Sequence, residues 1–466
     1  MPGFRPLVFL AAAALTVSAC EPSTPVATPK RPRESPRSAD TRIIGLVGTL
    51  SGPGSWRGED AFEGADVGVN VLNRNLPRGH ERFELVTLDD EGRPERAAQL
   101  IQRFAGDKRT VGIVYAGPSG GLKGAEPVLA DAGIPLLSGF SDLALSRAMT
   151  DHVFQLATPM SWEARRIAAY LLRDRRYLTI GALLDDTPEG RAAATALRRA
   201  LARPPVIEWY EGDGDDLRAP LRRLRARAAE AIVIHGPPDA FGAALRTLDA
   251  MGATYHTTRA ARIASAPPSR FPGPRGPWLP QVVGFDDAIS PSDQRLPPGT
   301  VASASYERGV HYLPVASFRR FEQAYSQWWD SPPLGREQRA FAAVLMLGWA
   351  VSSGSLDLAV ALERIPAVRF GGGDVTLSAS DHVAGTRRDV GLWVVPRPGI
   401  EVAERSRLPR SLPWVPLARS FASGERTRLE KKDWISLFKF LPPEGLAPRF
   451  ESMRFGVTTG ASDPVH

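Results

Sequence analysis

Residues 111–141 read VGIVYAGPSGGLKGAEPVLADAGIPLLSGFS. The opening run, 110–115, is short, apolar and rich in β-branched residues, which predicts a buried strand. The next six residues, AGPSGG, hold three glycines and form a turn. Over 122–132 the residues Leu122, Ala125, Val128 and Leu129 share one face at helical spacing. Gly133 stops that helix, and 134–137 begins a second strand ahead of Ser138, Gly139, Phe140 and Ser141. This is a βαβ unit with a small, polar, glycine-bearing turn at the carboxyl end of each strand. Parallel α/β sheets bind ligands at that end, because the unpaired N–H groups of the following helix's first turn point there.

Working outward, the same alternation recurs on both sides. Strands are expected at 43–50, 83–88 and 153–157, with helices at 58–76 and 94–104. A second series follows: helices at 162–172, 191–201, 217–229 and 241–251, strands at 178–184, 206–210, 231–235 and 281–285. The pattern predicts an α/β fold of two Rossmann-like lobes, each a doubly wound parallel sheet. Residues 255–280, rich in Pro and Arg, interrupt it as a long loop or insertion. Further on, a strand is expected at 300–305, a recrossing between lobes near 307–313, and helices at 317–329, 340–351 and 356–362. Residues 369–377 and 390–395 read as a closing β pair around Ser380, Asp381 and His382. The expected division is 42–157 plus 308–355 for the first lobe and 158–307 plus 356–395 for the second. A basic extension, 396–466, has no legible fold.

Composition narrows the function. The chain has 466 residues, 43% of them hydrophobic, and a formal charge of +7. That is enough for full cores in two or three domains. More than half of the positive balance falls after Val395, and no zinc spacing or base-stacking motif accompanies it, so nucleic acid is not expected as a partner. The one cysteine, Cys20, rules out an internal disulfide and any cysteine metal site. It follows a short apolar run at 7–15, preceded by Arg5, as in a cleavable secretory signal. Residues 21–40 are Pro- and Ser-rich and nearly devoid of apolar side chains, which predicts a disordered tether. Residues 117–121, GPSGG, match a Gly-x-Ser-x-Gly nucleophile turn in letters, but no His and acid partner can be placed for Ser119; no His-Glu-x-x-His helix or Walker loop is present, so an enzyme is not expected. No cofactor or metal site is read from the sequence.

Two resemblances sharpen these readings. Val17-Ser18-Ala19-Cys20 resembles a bacterial lipobox, which implies a lipoprotein signal peptide over 1–19 and lipidation of Cys20 at the head of a 20–41 tether. From 42 to 395 the chain resembles the type I periplasmic substrate-binding proteins of the branched-chain amino acid and amide class, the leucine-binding-protein-like components of ABC transporters. The carriers are IGLVGTLSGP at 44–53, LDDEGRPERAAQLIQRF at 88–104, VYAGPSGG at 114–121, DAGIPLLS at 131–138 and VFQLATP at 153–159. The resemblance implies three crossing segments, a ligand held in the interlobe cleft, an ABC permease as partner and a periplasmic location on a lipid anchor. It maps ligand carboxylate binding onto Ala116, Gly117, Ser119 and Gly120, and onto Gly139, Phe140 and Ser141. It places a second-lobe contact at Thr187, where the family often has an aromatic and this chain has none, and assigns an acid for a ligand ammonium to Asp286.

The residues themselves support part of that list. Ser119 and Ser141 are small hydroxyls beside free amides, suited to an oxyanion and equally to helix capping; Ser51 is similar. Asp286 lies just past a strand end, as a cation partner or as a turn residue. His235 ends a strand inside the second lobe, either facing the ligand or satisfied within the core. Two functions remain open. One is a lipid-anchored solute-binding protein taking an amino acid, amide or small carboxylate. The other is a ligand-free lipoprotein of the same fold that regulates an envelope partner.

Overall fold

The computed structural model describes residues 41–52, 54–76, 81–139, 151–211, 217–253, 278–285, 301–305, 316–330, 333, 337–365, 368–370, 373–375, 377–384, 390–394 and 415–416. The expectations for Cys20, Phe140, Ser141, Asp286, the 255–277 part of the insertion, the recrossing at 307–313 and most of the extension lie outside them.

The first sheet is built from β1 (Thr41–Gly48), β2 (Arg82–Asp89), β3 (Thr110–Ala116), β4 (Leu136–Ser138) and β5 (Val153–Gln155), in the order β2-β1-β3-β4-β5. All its pairings are parallel. Its central strands are apolar on both faces, as a sheet covered by helices on each side requires. In β1, Ile44 and Leu46 enter one core with helix α1 (Trp56–Asn75). Ile43 and Val47 enter the other, with α2 (Pro94–Ala105) and α3 (Ala125–Ala132). The expected helix at 122–132 is shorter than its periodicity suggests. Ser119–Leu122 is a 3-10 turn, Gly124 sits at φ 80°, and only then does α3 begin. Gly133, at φ 64°, ends α3 as expected, its left-handed backbone costing a glycine little.

The second sheet contains β6 (Ile180–Asp185), β7 (Val206–Tyr210), β8 (Ala231–His235), β9 (Gln281–Gly284) and β10 (Val301–Ser305). These pair in parallel in the order β10-β9-β8-β6-β7. Helices α4 (Met160–Ala169) and α5 (Pro188–Ala200) cover one face; α6 (Arg218–Ala226) and α7 (Pro238–Ala250) lie with the other. Trp278, at the end of the Pro/Arg-rich stretch, is buried with its indole N–H donated to the Ala229 carbonyl at 2.8 Å.

The later part of the chain corrects the expected division. Helices α8 (Ala316–Trp329), α9 (Gln338–Ser352) and α10 (Leu358–Glu363) are followed by two short paired strands, β11 (Val368–Phe370) and β12 (Gly373–Val375). Ala359, Ala361, Leu362, Leu377 and Ala384 all pack into the first-lobe core, so 356–384 does not join the second lobe. Residue 383 extends the first sheet by a parallel bridge to Gln155. The expected β pair between 369–377 and 390–395 does not form. Instead β13 (Val390–Val394) runs antiparallel to β10, and β14 (Val415–Pro416) runs antiparallel to β13. The second sheet is therefore mixed at this edge, and part of the extension belongs to it. A hydrophobic pattern marks a strand but not its neighbour, which is why these pairings escaped the reading.

Candidate functional site

In the first lobe, two consecutive aspartates at the end of β2 organise the loops. Asp89 accepts hydrogen bonds from the Leu50 amide (2.9 Å), the Glu91 amide (2.8 Å) and the Ser51 hydroxyl (2.6 Å). Burial works against ionisation here, yet the Ser51 hydroxyl and the backbone amides prevail and hold its carboxyl below the ordinary range. Asp90 is fully buried and takes the Thr49 hydroxyl and the Gly92 amide on Oδ1, both at 2.8 Å. Its Oδ2 has no partner among the described residues. Burial pushes the Asp90 carboxyl above its usual value despite those two bonds.

Asp90 Oδ2 abuts Gly117, where an added Cβ would lie 2.1 Å from it and 2.9 Å from the Tyr115 hydroxyl. The Tyr115 phenol donates to the Pro118 carbonyl at 2.5 Å, so the 116–121 loop is folded down over a buried ring. Only a residue without Cβ fits. We expect Gly117→Ala to lower stability by about 2 kcal/mol through overpacking, measured by urea denaturation. Gly120→Ala, on the exposed side of the same loop, is expected to change it by less than about 1 kcal/mol.

In the second lobe the site lies at the carboxyl ends of β6 and β8, which run side by side with Leu184 opposite His235. His235 Nδ1 is 2.6 Å from Asp185 Oδ1, and the imidazole is 0% exposed. Phe285 meets the ring edge-on at 5.5 Å. The Tyr210 hydroxyl donates to the His235 carbonyl at 2.9 Å. Thr187 donates to Asp185 Oδ2 at 2.7 Å and accepts from the Gly190 amide at 3.1 Å, capping α5. Burial alone would raise the Asp185 pKa. His235, through charge and hydrogen bond, then Thr187 and Arg57 outweigh it and bring it down to about 2.

The sign of that shift sets an acid sensitivity. An unfolded aspartate titrates near 3.9, so the stabilisation from Asp185 is complete above about pH 4 and lost as pH falls through 2; it amounts to about 2 kcal/mol. Denaturation midpoints between pH 5 and 2 are expected to fall by that amount, and less steeply in Asp185→Asn.

The two carboxyl edges meet through a charged pair. Arg57, in the first turn of α1, places Nη1 3.5 Å from Oε2 of Glu189, in the first turn of α5; both side chains are 12% exposed. Tyr115 of the first lobe lies within the field of Glu189, and Asp185 of the second within that of Arg57. At this point the protein's own side chains bridge the expected gap. Among the described residues no three His, Cys, Asp or Glu side chains converge as a metal site would.

The anticipated contacts fare unequally. Gly117 and Ser119 lie on the loop over Tyr115 at the cleft edge, half-buried, and Gly120 beside them is exposed. Ser119 starts the 3-10 turn, behind Pro118 at its N-cap. Ala116 is 1% exposed, and its carbonyl takes the Thr49 amide at 3.5 Å. Gly139 is buried, its carbonyl facing Arg339 Nη1 at 3.4 Å. Ser51 is committed to Asp89, Thr187 to Asp185 and the α5 cap, and His235 to Asp185. These three side chains tie the loops at the strand ends together from within the protein. Arg57, Glu189, Asp185 and Asp90 were missed. The one sequence signal for the buried pair was that Asp185 and His235 both end strands.

The sequence model of a family described as "Periplasmic binding protein" matches residues 43–277. The Leu/Ile/Val-binding protein homolog 3 of Brucella melitensis is 24% identical over 200 residues, 41% of this chain and 54% of that protein. The chain spans little more than half the length of the curated relatives it matches. Among solved structures, the substrate-binding protein LivJ of Streptococcus pneumoniae, in complex with isoleucine, superposes with a TM-score of 0.59 at 17% identity, covering 77% of this chain and 96% of that one. A solute-binding protein of an ABC transporter from Rhodopseudomonas palustris, in complex with 3,4-dihydroxybenzoic acid, gives 0.58 at 13% identity, covering 81% and 96%. With two sheets whose central strands run parallel, carboxyl edges joined by Arg57 and Glu189, and a family match over half its length, this chain belongs to the periplasmic binding proteins and has their type I fold.

Proposed function

We propose that the chain is an extracytoplasmic solute-binding protein that captures a small polar ligand between its lobes and delivers it to an ABC permease. The observation that carries this reading is the meeting of the two carboxyl edges at Arg57 and Glu189. The 116–121 loop, with Gly117, Ser119 and Gly120, folds over Tyr115, which lies within the field of Glu189 in the first turn of α5. A ligand enclosed there loses water and strengthens every hydrogen bond it makes. An amino acid, an amide or a small carboxylate fits such groups. Phe140, Ser141 and Asp286 belong to the same proposed set by sequence position. Cys20 serves as the lipid anchor, with 21–40 as the tether. The protein binds and carries out no catalysis.

Titration calorimetry and thermal shift on the full chain carrying Cys20→Ser, against amino acids, amides and small carboxylates, test the reading. A saturable heat and a raised melting temperature are expected for one class; no response to any class overturns it. The self-bridged cleft favours one rival, the ligand-free regulatory lipoprotein. Membrane pull-down separates the two, a permease supporting transport and an envelope enzyme or sensor supporting the rival.

A further inference from the structure

Three loops of the second lobe meet at the edge of its sheet opposite the cleft. Helix α4, extended by a single π turn at Tyr170–Asp174, runs through a short loop into β6; α5 does the same into β7, and α6 into β8. The three strands lie side by side in parallel, so the three loops share one edge. Glu230 ties two of them together. Its amide donates to the Thr179 carbonyl at 2.8 Å, and its carboxylate accepts the Leu178 and Thr179 amides at 2.5 and 2.9 Å.

That edge is basic. Residues 173–179, 198–205 and 223–230 hold three arginines each and, between them, two acids, Asp174 and Glu230. All of these arginines are exposed except Arg175, which is half-buried with its guanidinium 5.7 Å from the centroid of the Tyr177 ring. Arg223 is paired with Glu208 at 2.6 Å. Helix α7, which runs back from the far end of β8, adds one charge of each sign, Arg246 and Asp249. Like charges gathered in this way repel one another, a cost that an anionic partner removes. Among them Leu178 is 57% exposed, one of two large apolar side chains left so open among the described residues. The Glu230 carboxylate fixes its backbone, so the fold itself presents the leucine outward.

We propose that this edge docks on an anionic lipid bilayer, with the arginines on headgroup phosphates and Leu178, beside Tyr177, entering the interface. Guanidinium groups pair with phosphate in a bidentate manner, and each basic residue held near an anionic surface adds to the attraction. The leucine selects a bilayer over a soluble polyanion, because an apolar side chain among cations matches a surface with charge outside and hydrocarbon within. The surface goes beyond solute capture and does not depend on it. Strands β6 and β8 lead from this edge to Asp185 and His235 at the other, so a docked lobe holds its cleft edge away from the lipid.

The test uses the full chain carrying Cys20→Ser, so that no lipid anchor contributes. It is floated with vesicles of phosphatidylcholine alone and of phosphatidylcholine with about 30% phosphatidylglycerol. Binding is expected to the anionic vesicles only, and is expected to vanish near about 0.5 M salt. The variant R199E/R203E/R225E is expected to bind at least about a hundredfold more weakly, and Leu178→Ser about fivefold more weakly. All four side chains are exposed, so melting temperatures are expected to match the parent's; should the charge reversal not fold, R199Q/R203Q/R225Q takes its place, with a loss of about tenfold or more. Equal binding to both vesicles, no binding to either, or binding unchanged in the arginine variants overturns the proposal. Capture of inorganic polyphosphate by a chain that binds neither vesicle marks a soluble-polyanion site and overturns it too. Leu178→Ser binding as tightly as the parent overturns the insertion of the leucine.

Discussion

Replacing His235 with alanine is expected to destabilise the second lobe by about 4 kcal/mol, the combined loss of a buried hydrogen bond to a carboxylate and of the ring that fills the site. The imidazole is fully buried with Nδ1 2.6 Å from Asp185 Oδ1, and it fills the space against the edge of Phe285. Its removal takes the main compensating group from a carboxylate held ionised at a pKa of about 2. It also leaves a cavity beneath β6 and β8. Thr187 and Arg57 remain, so the carboxylate is weakened and not orphaned. Calorimetric melting is expected to show a fall of about 10 °C. His235→Asn, whose amide nitrogen reaches nearly to the Nδ1 position, is expected to recover part of that loss. In the double variant Asp185→Asn/His235→Ala the cost is expected to be smaller than the sum of the singles by more than about 1.5 kcal/mol. Strict additivity would mean that the two residues do not form an energetic unit.

That pair shows where the sequence was legible and where it was not. Short apolar runs such as 43–47, 111–116 and 180–184 announced buried parallel strands, because in a covered sheet both faces of a strand are apolar. Gly133 marked the end of α3, since only its left-handed backbone lets the chain turn there. The partners were another matter. Ser51 looked like a hydroxyl beside free amides, yet its acceptor, Asp89, lies 38 residues away. His235 looked like either a ligand contact or a core residue; Asp185, 50 residues earlier, decides it. Arg57 was invisible, because an arginine in a helix's first turn is ordinarily solvated and its counter-charge sits in the other lobe. Glu189 lay ahead of the helix expected at 191–201 and drew no reading, though the helix begins at Pro188. Local patterns encode elements; the site is written in contacts between elements, which no window of sequence contains.

A second large effect is expected at Gly64, on the face of α1 that meets α9. A Cβ there would lie 1.8 Å from the backbone oxygen of Glu337, and one at Gly68 would lie 2.9 Å from Cβ of Val344. Opposite them, a Cβ at Gly348 would meet Leu72 at 2.7 Å. The two helices run side by side at backbone contact because these positions carry nothing. Two effects compete when Gly64 becomes alanine. Helix propensity favours alanine by about 1 kcal/mol in a helix interior. Against that, a carbonyl cannot rotate away as a side-chain tip does: the Glu337 oxygen accepts the Phe341 amide at 3.1 Å in the first turn of α9. Either the helices separate or that turn is lost, at about 3 kcal/mol. Gly64→Ala is therefore expected to be net destabilising by about 2 kcal/mol, and Gly64→Val by more. Gly68→Ala, whose Cβ would meet Val344 Cβ at 2.9 Å and the Phe341 carbonyl oxygen at 3.3 Å, is expected to destabilise less than Gly64→Ala because helix propensity offsets a smaller clash. Denaturant midpoints on the three variants give the order directly, and a stabilised Gly64→Ala would mean that α1 and α9 do not touch there. The consequence extends to the cleft, because the turn that would shift carries Arg339, whose guanidinium reaches the Gly139 carbonyl at the end of β4.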